Sequence, residues 1–195
     1  MIPEVKKYWL PVLLLLYLRG RLGRRQISHY LGIGEGRVKR IIRELSGKGL
    51  LDTKRGGEAL SKDGLIFLFK SLVKHNIFSV HGFDASEVCE KCESVGFLLK
   101  NLIPCRIVDV RDEAVRGGAR GALIIQAVDD SLVLPPDLGN LGDYYPKLEE
   151  AIKRCFKISK GDVIILAYSR NFGEALLGGL RASLLANKIF TCRRT

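Results

Sequence analysis

Between residues 24 and 62 the apolar positions fall into two short helical periods separated by glycines. Ile27, Tyr30 and Leu31 recur at the i, i+3, i+4 spacing of an amphipathic helix, Gly32-Ile33-Gly34 breaks the period, and Val38, Ile41, Ile42 and Leu45 restart it. The pattern predicts two helices joined by a tight turn. At about 100° per residue the four apolar side chains of the second helix lie within about 60° of one direction, while Gly36, Arg40 and Arg43 point the opposite way and Arg37 and Lys39 lie on the flanks. Gly47-Lys48-Gly49 stops that helix. Strand-like runs at 50–53 and 59–61 then flank a Lys54-Arg55-Gly56-Gly57-Glu58 tip, and Gly-Gly between such runs predicts a hairpin, because its turn needs positive φ.

Upstream, residues 9–18 form an apolar run broken only by Pro11, which a first helical turn tolerates, so a helix is predicted over 8–19. Lys6-Lys7 ahead of it gives the charged start of a signal peptide, but arginines and glycines at 19–25 stand where a small-residue cleavage site would be. The run is about half the length of a bilayer span. A cytoplasmic chain that does not enter membranes is expected. Residues 65–73, with only Lys70 and Ser71 polar, predict another apolar helix, which must pack on the first or pair two protomers.

From residue 77 the period changes. Strands are predicted at 78–80, 95–99, 121–128, 132–134 and 162–168, and helices at 108–117, 143–156 and 171–189. Asp129-Asp130-Ser131 reads as a hairpin turn, and Pro135-Pro136 ends the strand after it. Hairpin-paired strands with helices on one side predict a two-layer sandwich. The fold class is therefore α+β: an N-terminal winged helix-turn-helix over 1–75, followed by a two-layer α+β sandwich domain over 76–195.

Charge divides these halves. The chain of 195 residues carries +11, with 47% hydrophobic residues, enough for substantial cores. Residues 1–75 hold 16 Lys+Arg against 6 Asp+Glu, a balance of +10, whereas the remainder holds 16 against 15, or +1. A polyanionic partner is expected for the first half only. An outer helix face of Arg, Lys and a side-chain-free Gly suits the major groove, since guanidinium groups reach guanine edges and phosphates. The candidate DNA-binding residues are Arg24, Arg25, Gly36, Arg37, Lys39, Arg40, Arg43, Lys54 and Arg55. Double-stranded DNA is the expected partner, and His29 is a phosphate contact or a surface residue. The bland alternative is a protein-interaction or dimerisation module of the same shape.

The segment LGIGEGRVKRIIRELSGKGLL resembles the helix-turn-helix core of archaeal winged-helix transcription regulators, and ALSKDG resembles the segment by which a wing re-enters the next helix. Together they cover about a third of the chain. RDEAVRGGARGALIIQ, DDSLVLPPDL and GDVIILAYS resemble the C-terminal domain of a little-described archaeal family in which a winged helix precedes a compact α+β domain. That domain is similar in layout to the small insertion domain of bacterial-type aspartyl-tRNA synthetases. The resemblance implies architecture and carries no catalytic residue.

Other motifs are weaker. Cys89 and Cys92 have the C-x2-C spacing of a metal knuckle or redox pair, with His75 and His81 upstream, but that set is not a standard four-ligand framework. Free or occasionally bridged thiols are the favoured reading for the five cysteines, Cys89, Cys92, Cys105, Cys155 and Cys192. Two glutamines and one methionine point to a thermophile, a setting in which intracellular disulfides occur. Gly32-x-Gly34-x-Gly36 follows a helix rather than a strand, so it is a turn and not a dinucleotide loop. Gly173-x4-Gly178 lacks the Lys-Ser/Thr of a phosphate loop. Asp112 and Arg116 stand at i, i+4 as a solvated helix pair.

No set of nucleophile, base and paired carboxylates can be assembled, so no enzyme, cofactor or metal is expected. The reading is a cytoplasmic, dimeric DNA-binding transcription regulator whose second domain senses a small-molecule effector or oligomerises. Its rivals are an enzyme of nucleotide or cofactor metabolism with a fused winged helix, and an RNA-binding module. RNA readers tend to expose aromatics on a sheet, and these strands are aliphatic.

Overall fold

The computed structural model describes residues 6–136 and 138–190, which form two compact units, 1–74 and 75–195. In the first unit, a 3-10 turn at Lys6–Tyr8 leads into helix α1 (Trp9–Arg19), whose Val12, Leu13, Leu14 and Leu15 have no exposed surface. Helix α2 (Arg24–Leu31) buries Ile27 and Leu31, and helix α3 (Glu35–Gly47) buries Val38, Ile41, Ile42 and Leu45, the face read from periodicity. Gly32, in the left-handed region at φ 62°, ends α2.

Strands β1 (Leu51–Lys54) and β2 (Gly57–Leu60) pair antiparallel, from Leu51 opposite Leu60 to Lys54 opposite Gly57. The other edge of β2 is covered by Leu22, which exchanges both backbone hydrogen bonds with Glu58. Gly57 is required twice over. Its φ is 112°, and a Cβ there would stand 2.5 Å from the carbonyl oxygen of Leu22. Helix α4 (Lys62–Val73) is capped by Ser61, whose Oγ accepts from Gly64 N–H at 2.9 Å. It packs on α1 through buried Leu68 and Leu72, with Trp9 edge-on to Phe67 and Tyr17 edge-on to Phe69. That packing leaves Leu65, Ile66, Phe67 and Val73 exposed.

The second unit is built on a five-stranded antiparallel sheet, formed by β3 (Ile77–Asp84), β4 (Glu93–Leu99), β5 (Gly121–Val128), β6 (Ser131–Val133) and β7 (Val163–Ser169) in the order β3-β4-β7-β5-β6. The central strands β4 and β7 are buried on both faces, which is why they read as continuous aliphatic runs. Helices α5 (Ile107–Arg116) and α8 (Phe172–Ile189) cover the face carrying Phe97 and Ala167. The two helices touch nearly backbone to backbone, since a Cβ on Gly178 would stand 2.6 Å from the Ala114 carbonyl oxygen.

The opposite face, with Phe83, Leu98, Ile125, Ile164 and Leu166, is covered by helix α6 (Leu141–Tyr144) through Leu141 and helix α7 (Pro146–Cys155) through Leu148 and Ile152. Helices on both faces replace the expected two layers with three. The alternation along β5 underlies this, as Ala122 and Ile124 serve one core while Ile125 and Ala127 serve the other. The helix expected over 143–156 is two helices, because Pro146 excludes Tyr145 from helical geometry (φ −138°, ψ 68°) and then starts the second at its own first position.

Candidate nucleic-acid interface

The basic residues singled out above sit mainly on α3 and the β1–β2 tip. Burial of Val38, Ile41, Ile42 and Leu45 turns Gly36, Arg37, Lys39, Arg40 and Arg43 outward, all of them exposed. No atom lies within 4 Å of a Cβ placed on Gly36, so the start of this face is open to a close approach. Arg24 and Arg25 are exposed in the first turn of α2, and Arg25 Nε lies 3.7 Å from Glu35 across the turn. Arg37 stacks over the Tyr8 ring at 5.7 Å. His29 is exposed, with its ring beside that of Tyr30.

Two more of these cations have carboxylate partners. Arg40 Nε donates to Glu44 Oε1 at 3.3 Å, one turn along the same face, and Glu44 also accepts from Trp9 Nε1 at 3.3 Å. Lys54 Nζ stands 3.2 Å from Asp52 Oδ2, and Arg55 is exposed at the tip. These are surface pairs, which a competing phosphate can displace at small cost.

Arg21 has a part that its isolated place between two helices did not reveal. It donates to the backbone carbonyls of Asp52 and Gly57, at 2.9 and 2.6 Å, and to the Asp52 carboxylate at 2.6 Å. One guanidinium thus ties both strands of the hairpin to the chain ahead of α2. The hydrogen bond from Arg21, followed by that from Lys54, holds the Asp52 carboxyl below its ordinary range.

The second unit offers different chemistry. Cys89 and Cys92 form a disulfide, the bridged alternative among those the sequence left open: residues 85–92 turn back tightly enough for Cys92 N–H to reach the Cys89 carbonyl at 3.1 Å. Cys155 is an exposed thiol, Cys105 directs its sulfur to the Ile189 carbonyl, and Cys192 lies outside the described residues. His81 is packed against Phe156 at 5.1 Å and Phe83 at 6.4 Å, and burial lowers its proton affinity. Among the described residues no three His, Cys, Asp or Glu side chains gather in a way that could hold a metal ion. Arg116 pairs with Glu113 at 3.7 Å instead of Asp112, and Arg181 claims the same carboxylate at 2.6 Å. A cavity of about 240 Å³ opens between α5, β5 and Tyr144-Tyr145. No helix among the described residues is long and apolar enough to cross a membrane.

Residues 91–187 match a family model described as "Domain of unknown function (DUF4443)". The chain is also similar to a solved structure, a hypothetical protein from Pyrococcus horikoshii OT3, with 28% identity and a TM-score of 0.73. The match covers 92% of each chain and so takes in both units. No curated protein matches the sequence.

Proposed function

We propose that the chain is a DNA-binding transcription regulator, with a winged helix-turn-helix in its first unit and a ligand-sensing or oligomerising domain in its second. The observation that carries this reading is the division of α3 into a buried aliphatic face and an exposed face of Gly36, Lys39, Arg40 and Arg43. Such a helix presents hydrogen-bond donors and positive charge to a major groove, while Lys54 and Arg55 on the hairpin tip reach the neighbouring phosphates or minor groove. The net charge of +10 over residues 1–75, against +1 over the rest, favours a polyanion at this unit alone. The exposed Leu65, Ile66, Phe67 and Val73 on α4 favour a homodimer, the usual partner of a two-fold operator.

The test is titration of the full chain against mixed-sequence duplex DNA at several salt concentrations. Binding that weakens with a log-log slope of several units supports phosphate neutralisation, and a salt-independent or undetectable interaction refutes it. Equal or tighter binding of a matched RNA duplex would shift the reading to an RNA module. Sedimentation at micromolar concentration tests the dimer, and a monomer there removes α4 as its interface.

A further inference from the structure

The cavity of the second unit has as its floor an unpaired stretch of strand edge. In an antiparallel ladder, successive residues direct their backbone groups to alternate sides. Ala127 N–H donates to Asp162 beside β7, and in the same register Ile125 and Leu123 also turn toward β7. Gln126 and Val128 turn the other way, toward Val133 and Ser131 of β6. Ile124 and Ala122 share the direction of Gln126, but β6 stops at Val133, and the next position opposite Ile124 is Pro135, which has no N–H to offer. Among the described residues no group bonds the outward N–H and C=O of Ala122 and Ile124, and both residues line the cavity.

The walls supply the rest of a site. Ile107, Leu134 and Leu138 are apolar, Tyr144 and Tyr145 add rings, and Arg111 is the one cation among the lining residues. The other arginines of this helix and its start are occupied: Arg106 bonds Asp109 at 2.6 Å and Arg116 lies 3.7 Å from Glu113. Arg111 has no carboxylate partner among the described residues. A cavity of about 240 Å³ is below the range of drug-sized clefts and fits a metabolite of a few heavy atoms.

We infer that this cavity binds a free α-amino acid with an apolar side chain. Its carboxylate pairs with Arg111, its ammonium donates to an outward carbonyl of Ala122 or Ile124, and its side chain lies among Ile107, Leu134 and Leu138. The strand edge discriminates between ligand classes, because it offers acceptors as well as donors beside a cation. A plain carboxylate leaves the carbonyls unmatched, and a plain amine leaves the guanidinium unmatched. The ligand class gives content to the sensing role proposed for this unit and rests on that reading only for its consequence at DNA.

The experiment is calorimetric titration of the full chain, without DNA, with L-leucine, L-phenylalanine, isocaproate and isoamylamine. The two amino acids should bind, and removing either the ammonium or the carboxylate should weaken binding about 10-fold or more. Arg111→Met, at an exposed position, should retain the circular dichroism of the wild type and weaken L-leucine by about 10- to 100-fold while leaving isoamylamine unchanged. No heat from either amino acid up to about 10 mM, or L-leucine binding unaffected by Arg111→Met, overturns the site. DNA titration with and without L-leucine separates the two readings. Amino-acid binding that leaves DNA affinity unchanged sustains the site and removes its effector role, whereas salt-dependent DNA binding without any amino-acid binding removes the site and leaves the DNA reading intact.

Discussion

Lys100 Nζ lies 2.6 Å from Oδ2 of Asp162, a carboxylate with no exposed surface at the start of the central strand β7. The same oxygen accepts from Ser159 N–H at 2.7 Å, and Lys100 also donates to the Lys157 carbonyl at 3.1 Å, so one ion pair ties the end of β4 to the loop ahead of β7. The other oxygen, Oδ1, is buried without a hydrogen-bond partner. Replacing the lysine leaves the carboxylate buried and uncompensated. Lys100→Met should lower the unfolding free energy of the second unit by about 3–5 kcal/mol, and Lys100→Met with Asp162→Leu should recover much of it. Urea denaturation checks this, and a single variant within about 1 kcal/mol of wild type would contradict it.

Arg43 and Lys54 should differ in kind at DNA. Arg43 projects from the exposed face of α3 opposite Val38 and Ile41, whereas Lys54 sits at the hairpin tip beside Asp52. Arg43→Ala should cost about 1–3 kcal/mol on a duplex selected for tight binding and relax base preference at one position; Lys54→Ala should weaken all duplexes alike and reduce the salt slope by about one. Arg40 must first leave Glu44, so Glu44→Gln should tighten binding to every sequence. The reverse pattern, with Arg43→Ala uniform and Lys54→Ala specific, would make the hairpin the reader.

Arg21→Ala should release the hairpin. In the native chain Asp52 titrates below the ordinary carboxyl range of about 4, so its contribution is complete above that value and is lost as pH falls through the lower folded one. Carboxyl NMR of Arg21→Ala should show the Asp52 midpoint moving up toward 4, along with weaker cross-strand contacts between Thr53 and Glu58. An unmoved midpoint would assign the perturbation to Lys54 alone.

His81 gives the second unit a dependence on mild acid. Because burial lowers its folded protonation midpoint, the unfolded chain binds the additional proton between that midpoint and about 6.5, and stability rises with pH across the window. Stability should therefore fall from pH 7.5 to 5.5, and His81→Leu should flatten the profile. Urea denaturation at the two pH values decides it, since equal slopes in both proteins would exclude His81 as the source.

Much of the architecture was legible in the sequence because it follows from local rules. The period of Val38, Ile41, Ile42 and Leu45 predicts which face of α3 is buried, and the glycines at 32, 34, 56 and 57 mark its turns. The aliphatic run at 162–168 predicts a buried strand, which the structure forms at 163–169. What periodicity could not give is which elements meet. Only the tertiary structure placed helices on both faces of the sheet, because alternation along β5 says that two cores exist without saying what fills them. The hairpin anchor at Arg21 joins residues 31 and 36 positions apart, and the Lys100–Asp162 pair spans 62, separations at which composition carries no pairing signal. The exposed basic face of α3 was readable from one helix alone. The cavity beside Ala122 and Ile124 was not, because it exists where β6 ends early and three elements distant in sequence close around the gap.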